Sequence, residues 1–218
     1  MADFWIEPTK PDNYDTYGRR FWYDENGLKH RDDDMPAVIW NNGRLEWWQH
    51  GKKHRDNDKP AITEPDGSAE WWENGKRHRR ENLVAWKWSD GTEEWYFEGK
   101  RHNEVGPAIL RADGSREYWI MDQLHREGGP AKEWHDYTGP GADKLAGVEE
   151  YWYRGERHNE HGPAIIQPDG TMEYLQHGVL HRIGGPARIR PAMNGKPEVR
   201  EWYLYGVRFE DDSPNPKP

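Results

Sequence analysis

Short apolar and aromatic runs recur along the chain at a nearly fixed spacing, and polar turn residues bound each run. In one clear copy, Glu46 is followed by two Trp, then by Gly51, His54 and the dipeptide Pro60-Ala61. The repeated histidine is found at His30, His54, His78, His102, His125, His158 and His181. Successive steps are 24, 24, 24, 23, 33 and 23 residues. This period indicates a repeat protein, and the one long step marks an insertion.

The turn residues predict the elements within each repeat. Asp-Gly or Asn-Gly separates extended runs at Asp66-Gly67, Asp90-Gly91, Asp113-Gly114, Asp169-Gly170, Asn26-Gly27, Asn42-Gly43 and Asn74-Gly75. Both dipeptides favour tight hairpins in which both central residues take positive φ. We expect a hairpin between the Pro-Ala strand and the Glu-aromatic strand, followed by a second turn that carries the His. No stretch shows a sustained helical period.

The predicted fold is all-β: an elongated single-layer ribbon of about seven stacked antiparallel β-hairpin repeats of 23–24 residues. We expect an N-terminal cap over residues 1–19, the array over 20–209 and a disordered tail over 210–218. A truncated copy, Glu201-Trp202-Tyr203 with Gly206 and Phe209, is interpreted as a C-terminal cap. Two strands per repeat, each about 4.8 Å from the next, predict a curved molecule roughly 70 Å long.

Composition decides whether such an array can fold. Charged residues make up 33% of the chain and the mean hydropathy is -1.29, which approaches the range of disordered chains. Fourteen Trp and eleven Tyr change that picture, because large rings bury more area per residue than aliphatic side chains. We therefore expect a thin, continuous aromatic core.

Charge and Cys content narrow the possible partners. A net charge of -9 argues against general binding to nucleic acid or to anionic membranes. The sequence shows no membrane-spanning run and no secretion signal, and it has no Cys for disulfides or thiolate metal sites. The default expectation is a cytoplasmic protein.

The residues Asn74-Gly75-Lys76-Arg77-His78, and the segment from Asp113-Gly114 to Tyr118-Trp119, resemble the MORN repeat. The resemblance covers about residues 20–209. The chain departs from the usual repeat in its Pro-Ala strand starts and in the Arg or Asn after His, features closer to MORN-like arrays of bacterial antitoxin-class proteins and of phage proteins. The resemblance implies a ribbon of stacked hairpins that serves as a scaffold or binds a partner without catalysis.

Two adjacent columns of the repeat are aromatic. The first contains Trp47, Trp71, Trp95, Tyr118, Tyr151, Tyr174 and Trp202. The second contains Trp48, Trp72, Tyr96, Trp119, Trp152 and Tyr203. Neighbours in a strand point to opposite faces. Either both columns belong to the core, or one fills the core while the other packs against turns or lines an open groove.

The His column lies beside a Glu column, a pairing that invites a metal or acid-base interpretation. The Glu column is Glu46, Glu70, Glu94, Glu117, Glu150, Glu173 and Glu201. Equivalent His residues should lie about 10 Å apart, two strand spacings, so they cannot converge on one ion. We expect each His to hydrogen-bond its own turn, and each Glu to pair with an Arg such as Arg55, Arg79 or Arg126. No catalytic residue, metal site or cofactor is predicted.

Function is sought where the copies differ. Three residues after each Pro-Ala alanine, the column is Trp40, Glu64, Trp88, Arg111, Trp134, Gln167 and Arg190. Two residues earlier, on the same strand face, it is Val38, Ile62, Trp86, Ile109, Lys132, Ile165 and Arg188. No core position would accept the first set. Trp and Arg are enriched at binding hot spots, so this face is a candidate binding surface.

Two insertions occupy the Asp-Gly hairpin position on the same edge of the predicted ribbon. One spans about His135–Leu145 and contains Tyr137 and Lys144. The other follows Arg190 and contains Asn194-Gly195 and Lys196. Insertions in repeat arrays often mark the binding face, although they can also be tolerated surface excursions.

Two functions remain open from sequence. The first is a non-enzymatic scaffold that binds a protein partner, in the manner of an inhibitor or immunity-type protein; a homodimer is left open. The second is a small-ligand binder that stacks a nucleotide base or sugar on Trp88 or Trp134. The candidate binding residues are Trp40, Trp86, Trp88, Arg111, Trp134, His135, Tyr137, Lys144, Arg188, Arg190 and Lys196.

Overall fold

The structure, a computed structural model, describes residues 11–135 and 147–210, and these residues form strands and turns without a helix. The predicted all-β class of consecutive antiparallel hairpins is confirmed. The chain forms two compact units, Met1–Ser89 and Asp90–Pro218. The predicted mobile tail, Asp211–Pro218, lies outside the described residues.

The main sheet of the first unit is an antiparallel ladder. Numbered along the chain, its strands are β1 (Asn13–Tyr14), β2 (Arg20–Phe21), β3 (Val38–Ile39), β4 (Leu45–Glu46), β7 (Ile62–Thr63), β8 (Ala69–Glu70) and β11 (Trp86–Lys87). Each pairs with the next in this order. Two separate hairpins join β5 (Trp48–Gln49) to β6 (Lys52–Lys53) and β9 (Trp72–Glu73) to β10 (Lys76–Arg77).

The second unit repeats this arrangement. Its ladder contains β12 (Glu93–Glu94), β15 (Ile109–Leu110), β16 (Arg116–Glu117), β19 (Lys132–Glu133), β20 (Glu149–Glu150), β23 (Ile165–Ile166), β24 (Met172–Glu173), β27 (Arg188–Arg190) and β28 (Val199–Leu204). Separate hairpins join β13 (Tyr96–Phe97) to β14 (Lys100–Arg101), β17 (Trp119–Ile120) to β18 (Gln123–Leu124), β21 (Trp152–Tyr153) to β22 (Glu156–Arg157), and β25 (Leu175–Gln176) to β26 (Val179–Leu180). The last hairpin joins β28 to β29 (Val207–Phe209).

In most repeats the two hairpins use different turns, which corrects the sequence expectation for Asp-Gly. In Asp66-Gly67 only the glycine has positive φ, at 92°, and Glu64 and Ser68 close a three-residue loop. Gly67 therefore occupies the bulge position of such a loop. In Asn74-Gly75 both residues have positive φ, 51° and 83°, as the two-residue hairpin requires. Of the seven dipeptides on which the sequence expectation rested, only Asn74-Gly75 has two left-handed residues.

The difference between 24-residue and 23-residue repeats lies in the loop that follows each His. In the first three repeats the buried Ala is the seventh residue after the His, as Ala61 is after His54, and two adjacent residues such as Asn57 and Asp58 take positive φ. Later loops are one residue shorter. They use a glycine at positive φ, such as Gly128, or an Asn103 side chain that accepts loop N–H groups.

The buried core of each unit is thin and regular. The alanine of every repeat is fully buried, at Ala37, Ala61, Ala85, Ala108, Ala131, Ala164 and Ala187. Next to it, Val38 and Ile62 are 1% exposed. Because Ile62 stands opposite both Glu46 and Glu70 in the ladder, aliphatic and Glu side chains alternate on one face of the sheet. We call this the glutamate face, defined by the Glu column.

The residues inserted after Arg190 lengthen the hairpin between β27 and β28. Met193 and Lys196 form an isolated antiparallel bridge around Asn194-Gly195, both of which have positive φ. The insertion thus lies at the predicted hairpin position. The other insertion, about His135–Leu145, lies outside the described part of the chain except for His135.

Candidate protein-binding face

The His column joins adjacent repeats. In His54 the backbone N–H donates to the Trp47 carbonyl, and Nδ1 accepts the N–H of Asn74 in the next repeat at 3.1 Å. The same Nδ1 contact occurs at His30, His125, His158 and His181. The structural role expected for these residues agrees with these bonds. The expectation that His bonds its own turn holds for Nε2 of His30 and His54, which contacts Asp32 at 3.0 Å and Asp56 at 3.1 Å, whereas the Nδ1 bond to the next repeat was not expected. The His Nδ1 acceptor reaches the following repeat because the second hairpins of successive repeats stack on one another.

The fourth repeat departs from this pattern. In the repeat that follows it, the second turn is Met121-Asp122 in place of a residue followed by Gly, and His102 Nδ1 is buried without a hydrogen-bond partner. Asp122 instead donates its N–H to the Arg101 carbonyl and accepts the Arg101 N–H through Oδ1.

The Arg that follows His fastens the loop to the first aromatic column. Arg55 lies over the Trp47 ring, 3.7 Å from its centroid, and donates to the Pro60 carbonyl. Its other guanidinium nitrogens form two bonds with Asp34 of the preceding repeat, at 2.6 and 3.0 Å. Arg79 makes the equivalent contacts with Trp71 and Asp58.

These contacts correct the predicted partners of the Glu column. Arg55 and Arg79 bind loop aspartates, and Arg126 pairs with Glu133, so none of the three forms an ion pair with a column Glu. Each column Glu does pair with an Arg, as predicted, but with a different one, such as Glu46 with Arg44 and Glu70 with Arg77. The column Glu also accepts from the second aromatic, two residues on. Trp48, Trp72, Trp119 and Trp152 donate Nε1–H, and Tyr96 donates its hydroxyl. The column Glu and the aromatic residue two positions on can bond within one repeat because their side chains point to the same face.

The two aromatic columns therefore have separate surroundings. Trp47 and Trp71 donate Nε1–H to the carbonyls of Asp34 and Asp58, so the first column packs against the post-histidine loops. The second column lies on the glutamate face. Most members of both columns are half-buried, although Trp47 and Tyr96 are buried. Neither aromatic column is a sealed core. The alternative in which both columns belong to the core is therefore wrong, and the first column is the one that packs against turns.

On the glutamate face of the first unit, cationic and aromatic side chains alternate. The Lys29 ammonium lies 4.5 Å from the Trp48 centroid, and Lys53 lies between Trp48 and Trp72, at 5.5 and 4.6 Å. Arg77 lies 3.9 Å from the Trp86 centroid. Desolvation lowers the pKa of Lys53, an effect opposed by Glu46 and Glu70. This stacking order holds the rings in place.

The candidate residues of the first unit are part of this face. The indoles of Trp86 and Trp88 stack with centroids 4.1 Å apart, and Trp88 is 37% exposed. Trp40 donates Nε1–H to Glu46 at 3.0 Å and lies beneath Arg19. We call the column that runs from Trp40 to Arg190 the variable column. Its residues begin the Asp-Gly loops at one end of the glutamate face.

In the second unit, the structure brings three candidate residues together. The Arg111 guanidinium lies 4.8 Å from the Trp134 centroid and bonds Glu117 at 2.5 Å. Exposed His135 donates its backbone N–H to Ser115 Oγ. Tyr137 and Lys144 lie outside the described residues.

The C-terminal candidate residues form a second group. Arg188 pairs with Glu173 at 2.8 Å and with Glu201 at 3.2 Å, and Arg190 lies 3.5 Å from Glu201. Lys196 is exposed in the turn of the lengthened hairpin. The basic end predicted from sequence is therefore largely neutralised by carboxylates.

Clefts between post-histidine loops were missed by the sequence reasoning. One in the second unit, of about 750 Å³, is lined by Tyr153, His158, Glu160 and His177 among others. Two more lie in the first unit, the larger of them beside Asp24 and Asp32. The only trace of these clefts in the sequence is that the two residues after the post-histidine Arg vary between loops. The sequence does not show that successive loops face each other across a gap.

The loop carboxylates are strongly influenced by their cations. Hydrogen bonding to Arg55, followed by bonding to Lys59, lowers the pKa of Asp34 to about 2. The bond from Arg79 likewise lowers the pKa of Asp58. Both groups are therefore ionised wherever the array is folded near neutral pH.

Within residues 11–135 and 147–210, no group of three or more His, Asp and Glu side chains is placed to hold a metal ion. The same residues contain no helix long and apolar enough to cross a membrane. No protein-family model matches the chain, and no curated protein matches its sequence.

Proposed function

We propose that this protein is a non-enzymatic repeat scaffold that binds a protein partner through the variable end of its glutamate face. The proposal rests on one observation. The His, Arg, Glu and aromatic columns are engaged in repeated contacts that hold each unit, whereas the column from Trp40 to Arg190 changes from aromatic to acidic to basic on the same framework. Variation there alters the surface without altering the hairpins.

Preorganisation supports a protein partner. Trp86, Trp88 and Trp134 are fixed by stacking against another ring or a guanidinium, so less side-chain entropy is lost when they are covered. Fixed Trp side chains with adjacent Arg are typical anchors of protein interfaces. From the resemblance to MORN-like arrays of antitoxin-class proteins, we further propose that binding inhibits the partner.

The stacking contacts also favour a protein over a small flat ligand. One face of Trp88 is occupied by Trp86, and Arg111 lies over Trp134. A base or sugar would have to displace these groups, whereas a protein can cover the ring edges and the neighbouring cations together.

The test begins with affinity capture of partners from the source organism by three forms of the protein. They are the wild type, the Trp88→Ala/Trp134→Ala double variant, and a control with Val105→Ala and Ile183→Ala. The control removes exposed apolar groups, 86% and 72% accessible, from post-histidine loops. We expect the wild type and the control to capture the same protein and the Trp double variant to lose it.

Capture that depends on the loop substitutions and not on the Trp substitutions would contradict the proposal, because it would place the working surface on the loops. A partner captured equally by all three forms would contradict it as well.

A further inference from the structure

The last strand of the second unit leaves one of its edges open. Within the ladder, a Glu-bearing strand such as β24 pairs on both sides, with β23 and with β27. Residues Val199–Glu201 of β28 pair with β27, and on their other edge no described strand is paired to them. This edge is accessible: Val199 is 40% exposed and the Arg200 side chain 58%. Open edges carry unpaired backbone groups that can accept another strand.

The backbone register identifies which groups face outward. Ala187 donates its N–H to the Glu201 carbonyl, so the polar groups of Glu201 point towards β27. Because these groups alternate in direction along a strand, the N–H and C=O of Arg200 point to the open edge. Inside the array the first aromatic N–H also points this way, as in the bond from Tyr118 to the Ala131 carbonyl. Trp202 is the equivalent residue in the last repeat.

The array itself shows what fits such an edge. Strand β19 covers the equivalent edge of β16, with Lys132 opposite Glu117 and Glu133 opposite Arg116. The Arg116 and Glu133 side chains approach to 3.6 Å, and Ala131 is fully buried. Arg200 and Glu201 stand where Arg116 and Glu117 do. The matching segment therefore has a small residue, then a basic or β-branched residue, then an acidic residue.

From these contacts, we infer that the open edge of β28 binds an extended segment of a partner protein as an added antiparallel strand, with an acidic residue of that segment opposite Arg200. Main-chain hydrogen bonds supply the affinity of this binding mode and alternate side chains supply its specificity. Arg200 can exchange Glu198 for the acidic residue of the bound segment. Both side chains of the Arg200–Glu198 pair are exposed, and exposed ion pairs contribute little to stability.

A second copy of the same strand is a poor occupant. A two-fold antiparallel pair centred on Arg200 would place Arg opposite Arg, and like charges directly opposite each other destabilise a sheet. The edge therefore selects a segment of different charge.

The probe is a capped synthetic peptide, Gly-Pro-Ala-Lys-Glu-Trp, which copies residues 129–134. It is titrated into the whole protein while backbone amide resonances are followed by NMR. We expect saturable shifts at Arg200 and Trp202. A matched peptide with Lys in place of Glu should bind at least several-fold more weakly.

Two variants of the protein test the mode of binding. Arg200→Pro removes the outward N–H without removing a bond to β27, so it should fold and lose at least tenfold in affinity. Arg200→Glu keeps the N–H and should reverse the preference between the two peptides. Lys100→Gln, the loss of one exposed positive charge on β14, is the control and should leave binding unchanged.

Several results would overturn the inference: no saturable shifts in β28, equal binding by Arg200→Pro when its spectrum shows a folded protein, or β28 shifts that follow protein concentration without peptide, since those would identify a second copy as the occupant. The Trp88→Ala/Trp134→Ala variant should bind the peptide normally. Failure of this inference is therefore separable from failure of the proposed function.

Discussion

At the scale of single residues, the repeated His and Arg, such as His54 and Arg55, are explained by contacts that join one repeat to its neighbour. The sequence period indicates that His and Arg serve every repeat, because they recur in register. It does not reveal that His54 reaches Asn74 and that Arg55 reaches Asp34, since both partners lie in other repeats. Side-chain partners across a stack depend on how hairpins superimpose, which a one-dimensional period does not contain.

The His contacts predict a loss of stability when the acceptor is removed. His181 is 4% exposed, and its Nδ1 accepts the N–H of Tyr205 at 3.1 Å. His181→Ala should lower the free energy of unfolding by about 1 kcal/mol or more, because a hydrogen bond and a packed ring are lost. Exposed His161→Ala should stay within about 0.5 kcal/mol of the wild type. Urea unfolding measures both; equal effects of the two variants would contradict the assignment.

At the scale of elements, the hairpin pattern could be predicted from Gly positions and aromatic strands, whereas the turn geometry could not. Asn-Gly occurs in both kinds of hairpin, as at Asn42-Gly43 and Asn74-Gly75, so the dipeptide alone does not fix the loop length. The length follows from where the ladder pairs Glu64 with Ser68. The sequence predicted that the two variable columns share one strand face, but it did not show that the Glu column lies on that same face. The ladder places them together, because Ile62 stands opposite Glu46 and Glu70. The clefts were not predictable, since they depend on the spacing of loops in space.

The turn assignment predicts the cost of a Cβ atom at the bulge. Gly67 has a φ of 92°, and a Cβ there would meet no other atom, so any cost comes from the backbone alone. Gly67→Ala should destabilise the protein by about 1–3 kcal/mol. Asp66→Asn, at the adjacent position without positive φ, should have a much smaller effect. Thermal unfolding of both variants checks this; a neutral Gly67→Ala would contradict the bulge geometry.

At the scale of the whole molecule, ion pairs between consecutive loops link stability to pH. Asp34 has a pKa of about 2, below its ordinary 3.8, because Arg55 and Lys59 bind the ionised form. A carboxyl whose pKa is depressed by folding stabilises the protein above its unfolded pKa and loses that contribution as pH falls towards the folded value.

The elongated shape expected from strand spacing stays a prediction, which small-angle scattering can test.

Replacing the carboxylate should remove this acid dependence. Asp34→Asn should lower the free energy of unfolding at neutral pH, and the difference from the wild type should shrink as pH falls from 3.8 to about 2. Asp33→Asn, an equal change of charge at the neighbouring exposed residue, serves as the control. Denaturant titrations at a series of pH values provide the comparison. A difference that is constant with pH would show that the ion pair is not responsible.

The most direct test of partner binding through the variable column measures affinity and stability on the same matched Trp variants, using the captured partner. Trp88→Ala and Trp134→Ala should each weaken binding by on the order of 2 kcal/mol, while costing less stability than Trp71→Ala, whose indole bonds Asp58 and lies beneath Arg79. Calorimetric titration and urea unfolding give the two quantities. Unchanged affinity in a folded Trp88/Trp134/Arg190 triple alanine variant would contradict the account and place the interface elsewhere on the protein.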